Sequence, residues 1–188
     1  MSVALLVHLN RPESLREIEA ASAIALCDIL NLDQGPLIEC RFDEFDQGGE
    51  PGDVLTPQSR RVICSMQRYR EQASIAPFVV PVQVESSEVA SGFVDRSYLS
   101  VEWFVQKTPL CFALMAAVTL GLARVQDSEI EDNSGFFSLK NVQGPSEFCA
   151  SVRPLGRFKD VESAVAEFYA SIPKSAEISE WIRSRVVP

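Results

Sequence analysis

Four carboxylates crowd into the six residues Asp127–Asp132, within the stretch "ARVQDSEIEDNSGFF" from Ala123 to Phe137. The first base after them is Lys140. Acids this dense can coordinate a cation, move protons as a catalytic pair, or present a charged surface. A calcium loop takes ligands at positions 1, 3 and 5, glycine at 6 and glutamate at 12. Asp127, Glu129 and Glu131 fit the first three, but Asp132 and Ser138 stand where Gly and Glu are required. Paired carboxylates for glycoside hydrolysis need one acid raised in pKa by an apolar pocket. Glu129 and Glu131 share a face of a short, highly charged strand, which offers no such pocket. The charged surface remains, with Glu129, Glu131 and Asp132 as candidate contacts and Phe136 beside them.

A second acidic cluster, Asp43, Glu44, Asp46, Glu50 and Asp53, has no base among its members. It falls in a stretch from Asp43 to Pro57 rich in Gly, Pro and acid, read as a long loop, and long loops in compact domains are often functional. Phe42, Phe45 and the Phe136-Phe137 pair border the acids, and aromatics beside charge suit both interface rims and the lip of a core. Elsewhere the search for chemistry is largely negative. His8 is the single histidine and reads as a structural strand residue. The phosphate loop, the dinucleotide glycine fingerprint, G-x-S-x-G and H-E-x-x-H are all missing. The cysteines at 27, 40, 64, 111 and 149 are odd in number, form no C-x-x-C and have apolar neighbours. They read as buried free thiols in a reducing compartment. Cys27, Cys64 and Cys111 are expected inside helices, where such thiols are inert.

The elements that must carry these residues follow from periodicity. "VALLVHL" is a strand. Asn10 is the expected cap of a helix that carries Leu15, Ile18, Ala25, Ile29 and Leu32 to a stop at Gly35-Pro36. "PLIECRF" alternates as a half-exposed strand. "PQSRRVICSMQRYREQA" is expected to be a second helix, with Val62, Ile63, Met66 and Tyr69 inward and Arg60, Arg61, Arg68 and Arg70 outward. "APFVVPVQVE" is a strand whose Pro77 and Pro81 suit an edge. In "RSYLSVEWFVQ", Leu99, Val101 and Trp103 share a face expected to be buried. Thr108-Pro109 opens a helix that is apolar nearly all round. A short strand from Glu129 to Asp132 follows, with a turn at Asn133-Ser134-Gly135. Helices starting at Gly144-Pro145-Ser146, Asp160 and Ser175 complete the chain, the last carrying Ile178, Trp181 and Ile182. The expectation is an α+β fold: a small mixed or antiparallel sheet packed with several helices, one domain over residues 1–188.

Composition bounds the function. Of 188 residues, 46% are hydrophobic and 23% charged, which is globular. Net charge is −9, with 26 acids against 17 bases. An acidic surface repels phosphates and anionic lipid, so neither nucleic acid nor a membrane is expected as partner. The longest apolar run, Pro109 to Ala123, is shorter than the ~18 residues a span needs. The N-terminus lacks a basic region and a cleavage site, so a cytoplasmic location is expected.

The order of elements is also familiar. A short strand and helix come first. A late apolar helix, "TPLCFALMAAVTLGLARV", then runs into "IEDNSGFF", and a Pro-Ser-Glu-Phe helix start follows. This resembles the immunity proteins of bacterial polymorphic-toxin and type VI secretion systems, in particular the immunity protein 52 family. The likeness covers residues 95 to 185 best, and its short motif I-x-D-x-x-G-F is carried by Ile130, Asp132, Gly135 and Phe136. It implies a non-enzymatic protein that needs no cofactor or metal. Such a protein binds a cognate toxin, often a nuclease, and blocks it stoichiometrically. Two other classes stay open: a hydrolase using a cysteine or carboxylates, and a non-catalytic subunit of a larger assembly.

Overall fold

The structure, a computed structural model, describes residues 4–44, 53–84, 92–103, 108–132, 135, 137 and 142–172. The elements in chain order are β1 (Ala4–His8), β2 (Glu13–Ser14), α1 (Leu15–Leu30), β3 (Ile38–Phe42), β4 (Val54–Leu55), β5 (Val62–Met66) and β6 (Gln72–Val84). They continue with β7 (Gly92–Trp103), α2 (Pro109–Gln126), β8 (Ile130–Asp132), β9 (Val142–Gln143), α3 (Pro145–Val152) and α4 (Val161–Ser171). The fold class is α+β. Seven strands form one sheet in the order β3-β5-β6-β7-β1-β8-β9, and β2 and β4 make a separate pair. Every pairing is antiparallel.

The helices cover one face of the sheet. Register places Ile38, Cys40, Val62, Cys64, Ala73, Ile75, Leu99, Val101, Leu5, Val7 and Ile130 on it, and all are buried. Helices α1 and α2 pack there, with α3 and α4 against those two. Helix α2 is buried nearly all round because it lies between the strands and the other three helices. At 18 residues it has the length and hydropathy of a membrane span, but 78% of it is enclosed by the protein. The helix is therefore longer than the apolar run within it. Thr108 Oγ1 caps it, accepting from the Cys111 N–H at 3.1 Å, and Pro109 follows the cap. Gly121 lets α2 approach α1 closely: a Cβ there would lie 2.7 Å from the Ser22 backbone nitrogen.

Several expectations need correcting. The segment read as a second helix is strand β5, a turn, and the start of β6. Its period is two: Val62, Cys64 and Met66 point into the core, and Arg68 turns the chain with φ of 73°. Cys64 is thus a strand residue, and Cys111 stands in the first turn of α2 rather than in a helix interior. Helix α1 begins at Leu15 with Ser14 as cap, not at Asn10, because Asn10 is engaged elsewhere. Its other end is Leu30, with Asn31 in the left-handed conformation as C-cap. Trp103 is only half-buried; it meets Phe112 edge-on, with centroids 5.7 Å apart. The stretch from Asp43 to Pro57 is interrupted by β4. The helix expected from Ser175 lies outside the described residues.

Candidate functional site

The structure divides the acidic residues among three places. Asp43 and Glu44 follow β3, at one edge of the sheet. Glu44 is exposed and sits 3.8 Å from Arg41, and the Asp43 N–H donates to Arg61 O at 2.7 Å. Glu131 and Asp132 belong to β8, with Glu129 just before it. Strands β3 and β8 stand first and sixth in the order, which is about 24 Å at ~4.8 Å per strand. Asp53 is exposed beside the start of α1, its carbonyl accepting from the Leu15 N–H at 2.8 Å. Glu129 is exposed, whereas Glu131 and Asp132 are half-buried, and Asp132 Oδ2 accepts from the Phe137 N–H at 2.8 Å. The acids therefore do not merge into one patch. Asp46, Glu50, Phe45 and Phe136 lie outside the described residues. Phe137 is a core residue packed on Phe148, so it offers nothing to a partner.

Between the two acid-bearing strands lies a surface that was not anticipated. Residues alternating with the core set face away from the helices; on the inner part of this face Ala4, Ile63, Ser74 and Ser100 are buried, whereas Val80 and Val94 on its outer part are exposed. In β6 these are Ser74, Ala76, Phe78, Val80 and Val82; in β7 they are Val94, Arg96, Tyr98, Ser100 and Glu102. β1 adds Ala4, Leu6 and His8. Three rings line up across the strands: His8 on Tyr98 at 4.1 Å, and Tyr98 stacked on Phe78 at 5.6 Å. His8 is thus a structural strand residue whose ring completes this row, while its N–H donates to Ser128 Oγ at 3.1 Å. Carboxylates flank the row: Glu39 on β3, Glu102 on β7 and Glu131 opposite Leu6 on β8.

The β6–β7 ribbon runs past its neighbours. β5 pairs with β6 only at residues 72–75, and β1 with β7 only from Tyr98 onward. The outer half therefore has two strands and is apolar on both sides. Phe93 is 73% exposed and Val94 51%, with Val79 and Val80 also exposed. Such clustering of large apolar groups on a surface marks an interaction site more often than scattered ones do. The sequence held a signal for this: "PFVVPVQV" and "GFVDRSYL" each alternate with a second apolar set opposite the core set.

The buried polar groups serve structure. Gln126, at the end of α2, accepts at Oε1 from the N–H groups of Asn10 and Arg11 at 2.9 and 3.1 Å. Its Nε2 donates to Glu13 Oε2 at 3.2 Å. Asn10 Nδ2 donates to Gln126 O, and Arg11 Nη2 to Val125 O, both at 2.7 Å. Together they staple residues 10–13 to α2. Burial raises the Glu13 carboxyl above its usual range, and a hydrogen bond from that acid holds Glu17 below it. This is the carboxylate pair with opposed shifts that acid–base catalysis would need, yet Glu13 is only 5% exposed and faces inward. Burial also pushes the Cys27, Cys64 and Cys149 thiols up, which suppresses the thiolate. Among the described residues no group of three or more His, Cys, Asp or Glu side chains is placed to hold a metal ion.

Two concave regions lie on the helical side. An open groove of about 580 Å³ is bordered by Asp28, Asn31, Arg124, Cys149, Arg153 and Leu155. Its cations are engaged, Arg124 with Asp28 at 2.7 Å and Arg153 with the Asn31 side chain. A smaller apolar one of about 260 Å³ lies among Tyr69, Pro109, Leu110, Val161 and Val165. No family model matches the chain, and no curated protein or solved structure matches it either.

Proposed function

We propose that this protein is a non-enzymatic inhibitor that binds a basic secreted toxin, of the nuclease kind delivered by type VI secretion, and neutralises it stoichiometrically in the cytoplasm. The observation that carries the reading is the apolar outer part of the sheet, where Val79, Val80, Phe93 and Val94 are exposed beside Phe78 and Tyr98. Its centre is aromatic and aliphatic, and carboxylates stand on the strands to either side. A protein-binding patch has this composition, an apolar core within a polar rim. The occupant is argued from charge: at −9 the chain repels a copy of itself and attracts a cation-rich protein. Nucleases carry such surface to hold phosphates. The likeness of "TPLCFALMAAVTLGLARV" and "IEDNSGFF" to the immunity protein 52 family supports the same reading.

Phe78, Tyr98 and Val80 act as apolar anchors in this proposal, with Val94 beside them. Glu39, Glu102, Glu131 and the more distant Asp43, Glu44 and Glu129 speed encounter and set orientation. The experiment titrates the chain against the purified product of the neighbouring reading frame while nuclease activity is followed. Activity should fall linearly to zero at one equivalent. Val80→Lys with Val94→Lys, at exposed positions, should abolish inhibition with an unchanged circular dichroism spectrum. Inhibition that persists undiminished in this variant would remove the open face from the account, and substoichiometric inactivation of the toxin would point to an enzyme instead.

A further inference from the structure

Cys40 and Cys64 are register partners in β3 and β5, and both are free thiols. Their sulfurs are 2.6 Å apart, closer than two unbonded sulfurs ordinarily pack. The Cys40 N–H donates to Glu19 Oε1 at 2.8 Å rather than across the ladder. It therefore points away from β5, which makes Cys40–Cys64 a non-hydrogen-bonded pair. In such pairs Cα atoms lie about 4.5 Å apart and side chains come closest. A disulfide spans Cα separations of about 4.4–6.8 Å, so the two sulfurs can be joined without moving the backbone.

We propose that Cys40 and Cys64 are a redox-responsive dithiol, a modification site at which a hydroperoxide closes a disulfide across the edge of the sheet. β3 is the outermost strand, and Cys40 is slightly exposed whereas Cys64 is fully enclosed. Cys40 meets the oxidant first. Its thiolate attacks one peroxide oxygen, the O–O bond breaks, and hydroxide leaves to take up the thiol proton as water. The Cys64 sulfur then attacks the resulting sulfenic sulfur. The S–S bond forms, the S–O bond breaks, and the hydroxyl departs as a second water with the Cys64 proton. Each sulfur is oxidised by one electron and the peroxide is reduced by two. Burial keeps Cys64 protonated at neutral pH, which leaves initiation to Cys40; Cys64 resolves because its sulfur already lies against that of Cys40 and its proton passes to the departing hydroxyl. The bond pins β3, which carries Glu39 and leads into Asp43 and Glu44. This inference does not depend on the proposed toxin.

The test exposes the full chain to hydrogen peroxide, removes the excess with catalase, alkylates in denaturant and maps the peptides by mass spectrometry. The expected product is a Cys40–Cys64 linked pair, lighter by the two thiol hydrogens and restored by dithiothreitol. Cys64→Ser should lose the link and leave Cys40 as a sulfenic acid that dimedone traps. The wild-type mapping decides the matter even if that variant does not fold. Cys40 and Cys64 both recovered as free thiols, after a dose that oxidises the helical cysteines, would overturn the proposal. So would links from either residue only to other cysteines.

Discussion

Gly121→Ala probes the close approach of α1 and α2. In an exposed helix this change stabilises by about 1 kcal/mol, because glycine loses more backbone entropy. Here the added carbon would meet three atoms of Ser22 at 2.7–2.8 Å, two of them backbone. Backbone cannot rotate away, so α1 must shift against α2. The covered sheet face and α4 pack on the same pair of helices. Overpacking of a well-packed core costs about 1–3 kcal/mol, and a backbone clash places this case at the upper end. Subtracting the propensity gain leaves a net loss of about 2 kcal/mol. At about 2–4 °C per kcal/mol for a chain of this size, the melting temperature should fall by about 4–8 °C. Urea unfolding followed by circular dichroism gives the free energy, and calorimetry gives the temperature. Gly144→Ala, where nothing lies within 4 Å, lacks the clash and is the comparison; as the N-cap of α3 it should lose only about 1 kcal/mol, less than Gly121→Ala. A Gly121→Ala protein as stable as wild type, or more so, would refute the close helix crossing.

Trp103→Ala should cost about 2–3 kcal/mol in urea unfolding, below the about 3–5 of a fully enclosed tryptophan, because the ring is half-buried where it packs on the core and meets Phe112 edge-on. Gln126→Ala strips partners from two backbone N–H groups and from Glu13, and should lower stability by about 3 kcal/mol at neutral pH. The Glu13 carboxyl has a raised folded-state pKa, so the folded protein binds that proton more tightly than the unfolded one. Its contribution to stability is present at acid pH and is lost as pH rises from the ordinary carboxylate range through the raised value. Glu13→Gln should remove that loss, flattening stability against pH across this window in a series of urea titrations. An unchanged pH profile in Glu13→Gln would contradict the assignment.

Locally encoded features were legible in the sequence, and those made by distant packing were not. Thr108-Pro109 and Asp160 announced α2 and α4, since a cap and its helix lie within four residues of each other. The alternation of Ile38 and Cys40 gave β3, and the sheet did prove antiparallel. β5 was misread because Val62, Ile63 and Met66 fit either period over so short a run. Its turn also uses Arg68 rather than a glycine in the left-handed conformation. The start of α1 was misplaced because Asn10 bonds to Gln126, a contact across 116 residues that no local pattern reveals. The acids were correctly seen as dense, but their division between β3 and β8 depends on strand order. The second apolar set in "PFVVPVQV" and "GFVDRSYL" was visible, but its assembly into one surface depends on strand order as well. Phe78, Tyr98 and His8 meet only after the strands assemble in the order β6-β7-β1, on the side of the sheet turned away from α1 and α2.

The most direct test of the central claim is hydrogen–deuterium exchange of the chain, alone and with one equivalent of the neighbouring reading frame's product. Bound partner should slow exchange in the ribbon of β6 and β7 and in β1, where the backbone lies beneath the open face. Peptides from α3 and α4, on the opposite side of the sheet, should exchange as before. Protection confined to α3, α4 and the groove at Arg124 and Arg153, with the ribbon unchanged, would contradict the account.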